Sequence, residues 1–173
     1  KFALYQSEDK LQKIVEGAVS NIGQQKGTLR VTDWRTKQVT SSEVTIDDHE
    51  HAAGLLLSWL DTNIGPNVIS AVGHRLVHGG PIYSDAKILN DQVLENLQQI
   101  TAFDPLHMPI ALQLVRVFQR LLPNKPQIAC FDTAFHYDLP TEARVLPIPR
   151  QYEARGIRRY GFHGTSHRYV AYR

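Results

Sequence analysis

The sequence predicts an α/β fold, a sheet covered by helices. Three observations carry this: an apolar stripe at helical spacing follows Asp47, short apolar strands are read at residues 68–72 and at Gln127–Phe131, and helical segments lie between those two strands. The composition suits such a core. Of 173 residues, 42% are apolar and 21% charged, with a net charge of +2, and this excludes a disordered chain.

The elements follow in order. Lys1-Phe2-Ala3-Leu4-Tyr5 reads as the tail of a strand, with no turn or cap before it. Residues 10–19 and 28–34 have β-like character, and residues 38–46 alternate with Val and Thr, so an antiparallel meander is expected. Asp47 or Asp48 caps a helix with Glu50 in its first turn and an apolar stripe of Ala52, Leu55, Leu56, Trp59 and Leu60. Gly65-Pro66 ends it, and the strand at 68–72 follows. Residues 91–100 and 109–122 form two helices, the second with Pro109 in its first turn. The strand Gln127–Phe131 stops at Asp132, and residues 167–173 open a last helix that lacks a C-cap. The only Met is Met108, and the first residue already lies in an apolar run, so the chain is expected to be cut at both ends. No apolar run reaches the ~20 residues of a membrane helix. The small charge and 9% aromatic content show no sign of nucleic-acid binding. Cys130 has no second cysteine to pair with, which fits a reducing, cytoplasmic setting.

Six of the eight histidines (74, 78, 107, 136, 163 and 167) fall within the stretch where three clusters carry the chemistry. Each cluster is expected where a strand or loop gives way to the next element, the usual place for ligands in open α/β sheets. The first is Gly73-His74-Arg75-Leu76-Val77-His78-Gly79-Gly80-Pro81, in which Arg75 offers a planar fork of donors and the glycines offer backbone N–H groups. An isolated Arg beside a Gly-Gly turn would be a surface residue; two flanking histidines argue for a site. The second is Phe131-Asp132-Thr133-Ala134-Phe135-His136, where Asp132 either takes part in catalysis or caps the following turn through Thr133. The third is Arg158-Arg159-Tyr160-Gly161-Phe162-His163-Gly164-Thr165-Ser166-His167. Here Thr165 or Ser166 is expected to N-cap a helix whose N-terminus, with its glycines and cations, suits an anion. Between them, Asp104-Pro105-Leu106-His107-Met108-Pro109 places His107 in a proline-fixed loop.

The strings at 74–80, 105–109, 131–136 and 158–167, in this order and spacing, resemble acetate kinase. The resemblance covers the whole chain as that family's N-terminal portion. It implies a ribonuclease-H-like domain of the acetate and sugar kinase/Hsp70/actin superfamily, truncated at both ends, with residues 1–136 as the N-terminal domain and 137–173 as a connecting segment and the start of the second domain. It implies reversible phosphoryl transfer from ATP to acetate, giving acetyl phosphate and ADP, with Mg²⁺. Arg75 matches the family's Arg for the substrate carboxylate or phosphate, Asp132 its catalytic Asp, His163 the His that stabilises the transition state, and His107 a further active-site His. Val77, Leu106 and Phe162 match the pocket around the substrate methyl group, and Lys1 matches the Lys closing a phosphate motif that contacts ATP. The family's metal-binding residues, its adenosine site and a second catalytic Arg fall outside these 173 positions, so the chain alone is expected to be inactive. The resemblance also implies a cytoplasmic homodimer at full length.

Other readings separate by chemistry. A propionate or butyrate kinase shares the reaction with a wider pocket. A small-anion-binding fragment lacks catalysis. A metal-dependent hydrolase using His163, His167, His107 and Asp132 lacks a His-Glu-x-x-His pattern, and a serine hydrolase lacks the Gly-x-Ser-x-Gly elbow.

Overall fold

A computed structural model describes residues 1–7 and 10–172. The chain divides into two compact units, one spanning Lys1–Val68 and the other beginning at Ile69.

The first unit is the expected meander. Strands β1 (Phe2–Ser7), β2 (Leu11–Ser20), β3 (Gly27–Asp33) and β4 (Gln38–Val44) pair antiparallel in sequence order, with a bulge between Leu4 and Tyr5. Their alternation puts Val15, Leu29 and Val31 on one buried face, and Phe2, Leu4, Ile14, Trp59 and Ile64 pack around them. Helix α1 (His49–Asn63) is capped by Asp48, whose side chain accepts the His51 N–H at 2.8 Å, a contact generally worth about 1 kcal/mol. Of the predicted stripe, Ala52, Leu56 and Leu60 are buried.

The second unit holds a three-stranded sheet in the order β5 (Val72–Leu76), β7 (Gln127–Phe131), β6 (Lys87–Ile88). Strands β5 and β7 are parallel, with Arg75 opposite Cys130, and β6 runs antiparallel to β7. Helices α2 (Asp91–Gln99) and α3 (Met108–Leu121) close the core, in which Leu76, Tyr83, Leu97, Met108, Val115, Ala129 and Phe131 are buried. Short helices α4 (Thr141–Arg144) and α5 (Gln151–Ala154) precede α6 (Gly164–Ala171). Residue 173, expected in that last helix, lies outside the described residues.

Two expectations are corrected. The strand read at 68–72 lies at 72–76, because β7 pairs with 72–76 and turns His74 and Leu76 inward. A buried polar pair disguised it: His74 Nε2–H donates to Gln127 Oε1 at 2.7 Å, so the strand lacks the apolar signature that residues 68–72 display. Helix α6 starts at Gly164, three residues earlier than read. The packing of this chain divides after Val68. Residues beyond 136 lie in the second unit: Tyr160 packs its ring on His78, and His136 bonds the Phe162 carbonyl at 3.0 Å.

Beside β7 and α6 is a cavity of about 240 Å³ lined by Ala86, Cys130, Phe135, Thr165 and Arg168, among others. Burial pushes the Cys130 thiol up, against the opposing charge of Arg168. Alkylation of Cys130 by iodoacetamide at pH 7.5 should therefore be slower in the folded chain than in urea, and equal rates would contradict this environment.

Burial also pushes the His74 imidazole below its ordinary value, with the Gln127 hydrogen bond opposing. His78 shifts the same way through burial; the Asp104 charge opposes and the Arg158 charge adds. Both rings bind a proton less readily folded than unfolded, so their contribution is complete above about pH 6.5 and is lost as pH falls through the lowered folded values. The depressed carboxylates Asp33, Asp104 and Asp132 act only below about pH 4. The urea midpoint should drop between pH 7.5 and 5.5, and His74→Gln should make that slope shallower. A midpoint flat over this window would rule the assignment out.

Candidate active site

Arg75 and Asp132 meet because β5 and β7 are parallel and adjacent. With Arg75 level with Cys130, the first residue past the end of β7 falls within reach of an outward-pointing side chain on β5. Arg75 Nε donates to both Asp132 oxygens at 3.1 Å, and Nη2 donates to Oδ2 at 2.5 Å. The carboxylate is 1% exposed, whereas the Arg75 side chain is 56% exposed, so one edge of the guanidinium is anchored and the other faces solvent.

Burial raises the Asp132 carboxyl, but hydrogen bonds from Arg75 and Thr165 and the charges of Arg75 and His163 outweigh it, and the group lies below the ordinary carboxylate value. Asp132 is thus an ionised acceptor whose two oxygens are engaged by Arg75 and by the Thr165 hydroxyl, at 2.8 Å from Oδ1. It serves as an anchor. The turn-capping reading does not hold, because the turn at 132–136 has no side-chain cap bond and the Asp132 oxygens go to Arg75 and Thr165; the Thr133 hydroxyl accepts the Gly79 N–H at 3.0 Å.

His163 arrives from the third segment. It occupies the N-cap of α6 in the left-handed region, φ 56° and ψ 23°, an uncommon conformation for a residue with a side chain. Its Nδ1 accepts from Arg75 Nη2 at 3.5 Å, which leaves Nε2–H as the donor of this tautomer. Neither Thr165 nor Ser166 caps the helix; Thr165 lies inside its first turn and turns its hydroxyl to Asp132. A Cβ at Gly164 would collide with the Asp132 carbonyl, and one at Gly161 with the His136 ring. These glycines allow backbone to approach protein rather than ligand.

The same correction applies to Gly79-Gly80. The Gly79 N–H is taken by Thr133 Oγ1 and the Gly80 N–H by His78 Nδ1 at 2.7 Å, so neither is free for an anion. Arg158 also serves internally, lying over the rings of Tyr137 and Tyr160 at 5.1 and 4.9 Å.

Of the apolar residues of the expected pocket, Phe162 packs against His78, which is buried. The His78 ring contacts Phe103, Tyr160 and Phe162 at 5.0, 4.4 and 5.9 Å between centroids. Phe162 is 43% exposed and Val77 half-buried, while Leu106 is 76% exposed. His107 is exposed and turns Nδ1 to Asp104 Oδ1 at 2.9 Å. No hydrogen bond or ring contact among the described residues joins Leu106 or His107 to Arg75, Asp132 or His163. Lys1 belongs to the first unit and is exposed. Sequence reasoning missed the link from Thr165 to Asp132 and the central place of His78; only the non-local packing reveals either. No group of three His, Cys, Asp or Glu able to hold a metal ion occurs among the described residues, and the four ligands of the hydrolase reading do not form one.

The comparisons with known proteins agree on one family. The acetokinase family matches residues 1–173. The acetate kinase of Halothermothrix orenii is 40% identical over 179 residues, covering 100% of this chain and 44% of that protein. The acetate kinase of Clostridium kluyveri is 42% identical over 177 residues, covering 99% and 43% respectively. Among solved structures, a propionate kinase from Francisella tularensis matches with a TM-score of 0.85 at 32% identity, covering 92% of this chain and 41% of that one. Porphyromonas gingivalis acetate kinase matches with the same TM-score at 33% identity, covering 95% and 42%. The chain spans less than half the length of these relatives, and its α/β fold is that of the acetate and propionate kinases. By sequence along its whole length and by the shape of its backbone, the chain belongs to the acetokinase family.

Proposed function

We propose that this chain supplies the acid- and phosphoryl-gripping part of a kinase that transfers the γ-phosphoryl of ATP to acetate, reversibly, giving acetyl phosphate and ADP. The observation that carries the reading is the convergence of Arg75, Asp132 and His163 at the end of the parallel strand pair β5–β7. Membership of the acetokinase family supports the choice of substrates.

In-line phosphoryl transfer asks for alignment and charge stabilisation more than for covalent work. Acetate is already ionised at neutral pH and is itself the nucleophile, so no general base is needed. This suits an Asp132 that is engaged on both oxygens. Asp132 holds the guanidinium, and the outward N–H groups of Arg75 bind the carboxylate or the phosphoryl oxygens. His163 donates Nε2–H toward the charge that develops on the transferring group. Val77, Leu106 and Phe162 surround the methyl group, His107 borders it, and Lys1 reaches the ATP phosphates in the assembled enzyme. The division into domains at 136/137 belongs to that assembled enzyme, as do its cytoplasmic homodimeric state and its dependence on Mg²⁺. For a magnesium ion the described residues offer no ligand set, since the Asp132 oxygens are taken by Arg75 and Thr165.

A propionate-type preference is the second reading, favoured by the exposure of Phe162 and by the Francisella tularensis relative. Rates with two-, three- and four-carbon acids decide between them. A pocket discriminating by methylenes separates neighbouring acids by about 1–3 kcal/mol, or 10–200-fold.

In a full-length kinase containing this sequence, Arg75→Ala and His163→Ala should each lower kcat by about 10²–10³-fold in a coupled acetyl-phosphate assay, the usual loss for one preorganised donor. Activity within threefold of wild type in both variants would overturn the reading. The 173-residue chain by itself should show no turnover in that assay, and turnover near that of the full-length enzyme would contradict the division of labour.

A further inference from the structure

Asp132 accepts from two kinds of donor. Arg75 grips the carboxylate from β5, while the Thr165 hydroxyl reaches Oδ1 from the first turn of α6 at 2.8 Å. A threonine hydroxyl has one proton, and the ionised carboxylate can only accept. That proton is therefore committed to Asp132 and is not offered to a phosphate, even though Thr165 lies at a helix N-terminus. Nor does it cap the helix, whose N-cap residue His163 makes no side-chain cap hydrogen bond.

We infer that Thr165 is a positioning residue of the phosphoryl-transfer site, tying the His163 segment to the Arg75–Asp132 pair; this deepens, and rests on, the kinase reading above. Thr165 is two residues from His163, and its bond ends on the carboxylate that orients Arg75. Together with the Arg75–His163 contact at 3.5 Å, this bond fixes the relative placement of the two groups expected to meet the transferring phosphoryl. The segment is also held by the Phe162 and Tyr160 rings on His78, by His167 against the Phe135 and His136 rings, by the longer Arg75–His163 contact at 3.5 Å, and through its backbone by His136 and Asp132, but among the described residues Thr165 makes its one hydrogen bond to the Asp132 carboxylate. Without the hydroxyl, Oδ1 keeps only the Arg75 Nε bond that it shares with Oδ2. The carboxylate is then oriented by Arg75 alone, and any turn about its Cβ–Cγ bond carries the guanidinium with it. Small misplacements at a reacting centre are expensive in rate, of order 10²-fold for 1 Å. Thr165 itself is exposed and lines the cavity beside Cys130, so the group that loses a partner with its hydroxyl is the buried acceptor Oδ1 of Asp132.

The test uses a full-length kinase containing this sequence. Thr165→Val should lower kcat about 10–100-fold while leaving KM for the acid and for ATP within about threefold. Thr165→Ser should recover kcat to within about threefold. Because the hydroxyl helps to hold the Asp132 carboxyl down, the acidic limb of kcat against pH should move to higher pH in Thr165→Val and return in Thr165→Ser. Thr165→Ala gives the same comparison with less bulk if the valine disturbs folding. Wild-type kcat in Thr165→Val and Thr165→Ala, or a Thr165→Ser variant as impaired as Thr165→Val, would overturn the inference. Arg75→Ala measured alongside separates the two levels. If Arg75→Ala collapses while Thr165→Val does not, only the role of Thr165 falls; if both retain full activity, the kinase reading of the cluster falls with it.

Discussion

The second unit is organised around a buried carboxylate and the guanidinium that holds it. Asp132 is 1% exposed, and a lone ionised group in that position would cost several kcal/mol. It is tolerable because Arg75 and Thr165 saturate both of its oxygens. The pairing requires β5 and β7 to be parallel neighbours in this register, since a slip of one residue would turn Arg75 to the other face of the sheet. The buried contact His74–Gln127 runs across the same pair of strands and ties the middle of β5 to the start of β7. Two polar pairs, one charged and one neutral, thus join the two strands.

The arrangement leaves Arg75 half committed. Its inner edge is spent on Asp132, and more than half of its side chain stays exposed. An anion arriving at that outer edge meets a guanidinium whose orientation is already set, so little ordering entropy remains to be lost on binding. The left-handed His163 fits the same logic: its backbone conformation is sparsely populated for a non-glycine residue, and the surrounding contacts of Gly161 and Gly164 with His136, Phe135 and Asp132 hold it there.

The glycine-rich strings take a different meaning once packed. Read in sequence, they suggest backbone N–H groups open to phosphate. In the structure, Gly79, Gly80, Gly161 and Gly164 all bring chain against chain, and the N–H groups of Gly79 and Gly80 are satisfied internally. His78 accepts one of them and stacks with Phe103, so the loop carrying Leu106 and His107 is joined to the His163 segment through aromatic contacts and not through hydrogen bonds.

The types of most elements and the chemistry of the clusters were determined by the sequence alone, because both depend on local quantities. Alternation in 38–44, the stripe after Asp48, Pro109 in the first turn of α3 and the apolar run Gln127–Phe131 each act within a few residues. The resemblance added the family, since four motifs in order are a far more specific signal than any one of them. What the tertiary structure decided is the set of partners. Arg75 and Asp132 are 57 residues apart in sequence, Thr165 and Asp132 are 33 apart, and Arg75 and His163 are 88 apart. The strand at 72–76 escaped the sequence for the same reason: its inward His74 is stable only against Gln127, and nothing local to residue 74 announces an acceptor 53 positions away.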